Sequence, residues 1–141
     1  MDKTHAFTTL DELGEGAGFR KVRSALGIEA FGANGVVLAP GVEAFWHFHE
    51  RQDELYFVHA GTARFEVGDP DAPDVRELGA GGLAHVPSTT PRRVSNPSET
   101  EDLVMLVIGA SGGYVGRDGM LVDMADFERR ASFGSAAKAV D

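Results

Sequence analysis

One segment of the chain, residues 41–61, constrains both the fold and the chemistry more than any other. It carries two of the five histidines, His47 and His49, and then Glu54, five residues beyond the second histidine. Side chains two apart on a strand point to the same face, so the two imidazoles lie side by side if this stretch is a strand. Glu54 then opens the next strand, where antiparallel pairing can bring its carboxylate beside them. Two imidazoles and one carboxylate suit Fe(II), Mn, Ni, Co or Zn and leave coordination positions open for water or substrate.

Short apolar runs fill the chain from residue 19 to residue 108, and Gly, Pro, Asn or Asp interrupts them. The interruptions recur about every eight to twelve residues, a spacing that is typical of an all-β sandwich or barrel. The predicted strands are Phe19–Val22, Ile28–Phe31, Val36–Leu38, Glu43–His49, Glu54–His59, Ala63–Val67, Val75–Leu78, Leu83–Val86, Arg92–Ser95 and Leu103–Ile108. The segment 68–74, rich in aspartate and proline, is predicted to be a loop.

Residues 1–18 are polar and lack the regular apolar runs of the barrel region, which is predicted to span 19–110. Within them, Thr9 and Glu12 have the spacing of a capping box. This spacing predicts a short helical turn that ends near Gly14.

The last part of the chain predicts a different set of elements. Residues 111–131 are expected to form a hairpin over Tyr114–Val122, with Asp118 and Gly119 in its turn, and then a short helix over Asp123–Arg130. The small residues of 132–141 predict a frayed tail.

Composition limits the classes of function. A chain of 141 residues predicts one domain. The formal charge of −9 argues against partners such as nucleic acid or an anionic membrane surface. The absence of cysteine excludes disulfides, thiolate ligands and a cysteine nucleophile. No apolar run has the length of a membrane span and the N-terminus does not resemble a signal peptide, so a cytoplasmic location is expected.

The complete spacing of the segment 41–61 resembles the first motif of the cupin superfamily. That motif has five fixed positions, and the chain matches all of them with Gly41, His47, His49, Glu54 and Gly61. An accidental match is very roughly a one-in-ten-thousand event at ordinary residue frequencies.

The second cupin motif follows with two replacements. Gly81, Pro87 and Asn96 are kept, whereas Thr89 stands at a glycine position and Arg92 at the histidine position. The resemblance covers residues of about 30–110.

The resemblance implies an all-β fold, a jelly-roll-like β-barrel to which the chain adds its short C-terminal helix. It also implies a divalent metal inside the barrel, held by His47, His49 and Glu54, and it implies a homodimer. It does not imply one activity, since cupins include dioxygenases, isomerases, epimerases, decarboxylases, ligand-sensing domains and storage proteins.

Arg92 leaves three arrangements open, because a guanidinium has no lone pair for a metal and repels a cation. It can grip an anionic ligand that also reaches the metal. It can pair with Glu54, which would leave a metal-free binding module. It can turn outward, so that another residue becomes the fourth ligand.

Two further side chains are candidates for the site. His85 is the nearby candidate for a fourth ligand, and its alternative role is a hydrogen-bonded residue of the barrel wall. Tyr56 shares the face of Glu54, so it either lines the pocket or packs in the wall. His59 and Arg93 have the opposite parity to the site and are expected to face away from it.

The leading prediction is therefore a metal-binding cupin that acts on a small, anionic molecule, as an enzyme of the dioxygenase, isomerase or epimerase kind. Arg92 would anchor the anion. The alternative is a non-catalytic, metal-free cupin that binds a ligand or serves as a structural dimer.

Overall fold

A computed structural model describes residues 4–116 and 118–122 of the chain. In these residues ten strands form two antiparallel sheets of five strands each. The strands are β1 (Gly18–Arg20), β2 (Gly32–Leu38), β3 (His47–His49), β4 (Asp53–Ala60), β5 (Ala63–Val67), β6 (Asp74–Leu78), β7 (Leu83–Val86), β8 (Arg92–Ser95), β9 (Leu103–Ala110) and β10 (Gly119–Leu121). A 3₁₀ turn covers Asp11–Leu13, and one short helix, α1, covers Val22–Leu26.

The first sheet has the strand order β1-β2-β9-β4-β7, and the second has the order β10-β3-β8-β5-β6. Consecutive strands such as β3 and β4 thus lie in different sheets, as expected for a jelly roll. The predicted all-β jelly-roll fold is confirmed. Its barrel is open, because no pairing between described strands joins the two sheets and each sheet keeps two edge strands.

Strand β4 shows how the sequence selects the inner face. Glu54, Tyr56 and Val58 are buried, whereas Asp53 and Leu55, which alternate with them, are exposed. Alternate side chains of a strand point to opposite faces, so one parity of β4 faces the second sheet. Inner residues of both sheets form a common core that includes Val36, Val58, Phe65, Val94, Leu103 and Met105. Burial of each large apolar side chain contributes about 1.5–3 kcal/mol.

The turn between β4 and β5 requires a glycine for two separate reasons. Gly61 has a φ angle of 81°, in the left-handed region. A Cβ atom at this position would also collide with the backbone carbonyl oxygen of Asp102. Both the backbone conformation and the close approach of the chain therefore exclude larger residues.

The predicted N-terminal turn forms where the capping-box spacing places it. The backbone N–H of Glu12 donates to Thr9 Oγ1 at 3.2 Å. This bond is one half of a reciprocal capping box. The Glu12 carboxylate instead accepts a hydrogen bond from Thr8 Oγ1 at 3.3 Å.

The predicted strand Ile28–Phe31 is wrong, and α1 was not predicted. Residues 28–31 form an irregular connection into β2. Gly27 ends α1 with a φ angle of 70°, and the backbone N–H of Ile28 returns to the carbonyl of Arg23 at 3.0 Å. The glycine C-cap thus stops the helix and redirects the chain before the apolar run that resembled a strand.

The predicted hairpin over Tyr114–Val122 is also wrong. Residues 114–116 belong to no strand, and β10 pairs with the edge of β3, where Gly119 lies opposite His49. The edge of β3 offers unpaired backbone groups, and β10 satisfies them. Arg117, the predicted helix Asp123–Arg130 and the predicted tail 132–141 lie outside the described residues.

Within the described ranges, no helix has the length and apolar character needed to cross a membrane.

Candidate metal centre

The three side chains predicted to bind a metal meet on the inner face between the two sheets. His47 and His49 come from β3 of the second sheet, and Glu54 comes from β4 of the first. Their candidate ligand atoms all lie within 4.8 Å of one another. The Nε2 atoms of His47 and His49 are 3.7 Å and 3.1 Å from Glu54 Oε1. We call these three residues the ligand cluster.

Hydrogen bonds fix the orientation of both imidazoles. His47 Nδ1 lies 3.2 Å from the carbonyl oxygen of Phe45, and His49 Nδ1 lies 2.8 Å from Asp118 Oδ1. A carbonyl and a carboxylate can only accept, so each Nδ1 is the donor. In the neutral rings the lone pair is then on Nε2, the nitrogen that faces Glu54. A donor bond from the far ring nitrogen to a carbonyl or carboxylate is the usual arrangement of a metal-binding histidine.

The chemistry of the cluster fits a metal ion. His49 Nε2 is buried and makes no hydrogen bond, although it lies close to Glu54 Oε1. A buried polar atom without a partner is costly and asks for an explanation. Two nitrogen lone pairs and a carboxylate oxygen that face one another repel unless a proton or a cation lies between them. A divalent metal would satisfy all three ligand atoms at once.

Electrostatics keep the carboxylate of Glu54 ionised. Burial alone would raise its pKa, but the adjacent imidazoles of His47 and His49 lower the pKa well below its usual value. Burial lowers the pKa of His49, whereas the nearby carboxylate of Glu54 and the hydrogen bond to Asp118 raise it, and the net direction is upward. Without a metal the cluster therefore favours a proton at His49, and a metal ion would displace this proton on binding.

Tyr56 also holds the carboxylate of Glu54 in position. Its hydroxyl donates to Glu54 Oε1 at 2.7 Å. Complete burial and the neighbouring Glu54 raise the pKa of Tyr56 well above its usual value. The phenol thus stays neutral and remains a hydrogen-bond donor. Tyr56 lines the cavity beside the cluster, as one of its two predicted roles required.

Asp118 and Gln52 belong to the site, and sequence reasoning missed both. Beyond its bond to His49, Asp118 Oδ2 accepts from the backbone N–H groups of Arg51 and Gln52 at 2.8 Å and 3.0 Å. The side chain of Gln52 is buried, and its amide nitrogen donates to Asp118 Oδ1. Burial would raise the pKa of Asp118, but these backbone N–H donors hold it at about 2. No sequence signal links position 118 with position 49, because the contact depends on the pairing of β10 with β3.

Arg92 points inward, so the predicted outward arrangement is wrong. Its side chain is fully buried, and its terminal nitrogens donate to the carbonyl oxygens of Val86, Pro87 and Ser88 at 3.1–3.2 Å. Only Nε faces the cluster, 3.8 Å from Glu54 Oε1, and it makes no hydrogen bond. Arg92 therefore lies beside Glu54, but its terminal N–H groups are not free to bind an anion in a bidentate manner.

His85 does not reach the cluster, so its prediction as a possible ligand is wrong. On β7 the inward parity belongs to Ala84 and Val86, and His85 lies on the opposite face. Its side chain is 63% exposed and lies 3.7 Å from Asp53 Oδ2. His59 is exposed, as its parity on β4 predicted.

A cavity of about 360 Å³ opens beside the ligand cluster, and we call it the inter-sheet cavity. His47, Gln52, Glu54 and Tyr56 lie in its lining. Most of the remaining lining is apolar and comes from β1, β2, β8, β9 and β10 together with the segment before β3. His47 and Glu54 of the ligand cluster thus belong to the wall of a ligand-sized space.

Comparison with known proteins gives a family and a fold. Residues 35–109, just over half of the 141 residues, match the family described as a cupin domain. No protein among the curated ones matches the chain. An uncharacterized conserved protein with a double-stranded β-helix domain from Klebsiella pneumoniae is 18% identical with a TM-score of 0.65. That match covers 82% of this chain and 89% of the other. A cupin protein from Bacteroides fragilis is 17% identical with a TM-score of 0.64, and the match covers 82% of this chain and 92% of the other.

A more similar sequence belongs to a larger protein, the DMSP lyase DddQ from Ruegeria pomeroyi. It is 26% identical over 66% of this chain, with a TM-score of 0.55. The chain spans only 43% of the length of that lyase. The matched family is consistent with the two facing sheets and with the ligand cluster between them. The chain belongs to the cupin family.

Proposed function

We propose that this cupin is a metal-dependent enzyme that transforms a small organic molecule in the inter-sheet cavity. One observation supports this most directly. His47 and His49 present their Nε2 atoms to the ionised carboxylate of Glu54, and His47 and Glu54 line a cavity large enough for a ligand. A functional site of this kind combines a mostly apolar pocket with a few convergent polar groups whose pKa values are shifted.

In the proposed site, His47, His49 and Glu54 hold the metal. The metal, when bound, supplies a Lewis acid with open positions for substrate or dioxygen, which suits isomerase and dioxygenase chemistry. Tyr56 fixes the carboxylate of Glu54 by its hydrogen bond, and Asp118 fixes the ring of His49. The apolar lining excludes water from the bound molecule.

Metal analysis of the full chain tests this proposal. The protein is purified without a histidine tag and incubated with Fe(II), Mn(II), Ni(II) or Zn(II), and bound metal is measured by mass spectrometry after gel filtration. We expect close to one equivalent of at least one of these metals. Glu54→Ala should lose it, because two neutral imidazoles alone hold a divalent ion weakly.

Glu50→Ala is the matched control, since its side chain is exposed on the same connection. This variant should retain the metal. Metal content below about one tenth of an equivalent in the unaltered protein, with each of the four metals, would reject the proposed function.

A second candidate is a metal-free module that binds a ligand without turnover, and Arg92 favours it. Its buried guanidinium lies 3.8 Å from the carboxylate that would bind the metal. A cation in that place can neutralise Glu54 and repel a second cation. If this candidate holds, Arg92→Met should raise the metal content of a protein that otherwise binds none.

A further inference from the structure

The walls of the inter-sheet cavity indicate which class of molecule the site accepts. The cavity measures about 360 Å³, within the usual range of small-ligand pockets. Liquid water occupies about 30 Å³ per molecule, so the space corresponds to roughly a dozen non-hydrogen atoms. It therefore suits a small molecule such as a substituted ring or a short branched chain.

The two sheets both contribute apolar side chains to these walls. The first sheet provides Val36, Met105 and Val107, and the second provides Val94 and Leu121. Phe45 adds an aromatic ring from the segment before β3. An apolar ligand body that replaces water here gains roughly 25 cal/mol for each Å² of buried apolar surface.

The charges in the lining disfavour an anion. Among the described residues, no lysine or arginine lines the cavity, and the acidic residues Glu43 and Glu54 do. Arg92 lies near Glu54, but its terminal nitrogens bind backbone carbonyls. Arg93 pairs with Glu43 and Glu66 at 3.1 Å and 2.9 Å. An anion in the apolar part would thus lose its hydration without gaining a cationic partner.

We propose that the substrate is an uncharged molecule with an apolar body of roughly a dozen non-hydrogen atoms and one polar end, which points toward the ligand cluster. The polar end lies beside His47 and Tyr56, and the apolar body lies among Val36, Val94, Met105 and Val107. An uncharged substrate replaces the anionic ligand that the sequence predicted, because the terminal N–H groups of Arg92 already bind backbone carbonyls. The inference rests on the proposed function only in treating the cavity as the substrate site.

Two probes that share a phenyl ring test the inference. Benzyl alcohol is neutral, and benzoate carries one negative charge. Each is titrated into the full chain after treatment with a chelator, so that no metal can hold the carboxylate, and binding is followed by NMR of the methyl groups. We expect benzyl alcohol to bind with a Kd on the order of millimolar and to shift the methyl signals of Val94 and Met105. Benzoate should bind at least about tenfold more weakly.

A pair of variants on β9 locates the binding. Val107→Phe places a larger side chain in the cavity and should abolish benzyl alcohol binding. Ile108→Phe makes the same addition at the next residue, whose side chain points to the opposite face of the sheet, and should leave the Kd within about twofold. Circular dichroism establishes that both variants fold.

The outcomes separate the inference from the proposed function. Equal or tighter binding of benzoate overturns the inference, as does benzyl alcohol binding that Val107→Phe leaves intact. A protein that holds metal but does not bind benzyl alcohol overturns the inference and leaves the metal function in place. A protein that binds benzyl alcohol in this cavity but takes up no metal refutes the proposed function and supports the inference.

Discussion

At His49, the carboxylate of Asp118 determines which ring nitrogen faces the ligand cluster. Asp118 accepts the Nδ1 proton at 2.8 Å and is itself held by the backbone N–H groups of Arg51 and Gln52. The imidazole can neither flip nor change tautomer without breaking these bonds. The Nε2 atom is thus directed at Glu54 without a metal, which would reduce the cost of ordering this side chain when a metal binds.

We expect Asp118→Asn to weaken metal binding about 10- to 100-fold. The amide keeps the shape of the side chain but loses the charge, and it can turn its NH₂ toward His49 and favour the wrong tautomer. Competition with a chromophoric chelator measures the affinity, and thermal unfolding of the metal-free variant measures any loss of stability.

Asp71→Asn is the control for the same change of charge, since Asp71 is exposed on the loop before β6. It should bind metal as the unaltered chain does. If both variants keep the original affinity, Asp118 has no role in positioning His49.

Residue-level prediction succeeded where the signal is local. His47, His49 and Glu54 lie within eight positions of one another, so strand parity and spacing were enough to bring them together. Asp118 is 69 positions from His49, and no pattern of that range exists in one sequence. The sequence does not determine which face of β7 carries His85, because Leu83 and Ala84 are both acceptable core residues. In the structure Ala84 faces the core, so His85 faces away from it.

At the scale of elements, the connection between β3 and β4 positions the candidate metal ligands. It spans residues 50–52 and carries the chain from the second sheet to the first. Gln52 is buried beneath it, and Asp118 binds two of its backbone N–H groups. These contacts make the connection a fixed part of the site.

The turn between β4 and β5 allows a prediction about stability. Gly61→Ala should lower the free energy of unfolding by about 3 kcal/mol or more, because a left-handed residue and a backbone collision are both involved. Gly81→Ala should cost only about 1–2 kcal/mol. Gly81 also has a positive φ angle, 88°, but a Cβ there meets no atom within 4 Å.

Urea unfolding of both variants, followed by tryptophan fluorescence, measures the difference. Equal losses at the two positions would show that the contact with Asp102 relaxes and that only the backbone angle matters.

Elements were predicted well where apolar alternation and turn residues coincide. The strands β5, β7 and β8 have the predicted bounds. The errors fell where a distant partner decided the conformation. Met120 and its neighbours resembled half of a local hairpin, but β3 was the available partner. Gly119 lies opposite His49, which is 70 positions earlier in the chain.

At the scale of the whole molecule, the ligand cluster spans the gap between the two sheets. His47 and His49 belong to one sheet and Glu54 to the other. A metal ion held by all three would cross-link sheets that strand pairing between described residues does not join.

The homodimer that the sequence resemblance implies stays a prediction.

Metal binding should therefore stabilise the entire fold. At a free metal concentration of 100 times Kd, mass action contributes about 2.7 kcal/mol. For a domain of this size that raises the Tm by roughly 8 °C. Differential scanning calorimetry with increasing Zn(II) or Mn(II) measures the shift.

The variant Glu54→Ala should show little or no shift, because it removes the ligand that the first sheet provides. An equal shift in this variant would mean that the metal binds elsewhere and does not link the sheets.

The edge position of β10 has a consequence for the rate at which a metal would leave. This strand has three residues and pairs with β3 alone among the described strands. Short edge strands open locally far more often than the molecule unfolds. Each opening separates Asp118 from His49 and frees the imidazole to rotate away from the ion. The dissociation rate would then follow the opening frequency of β10, and a low concentration of urea would speed metal release while the rest of the fold stays intact.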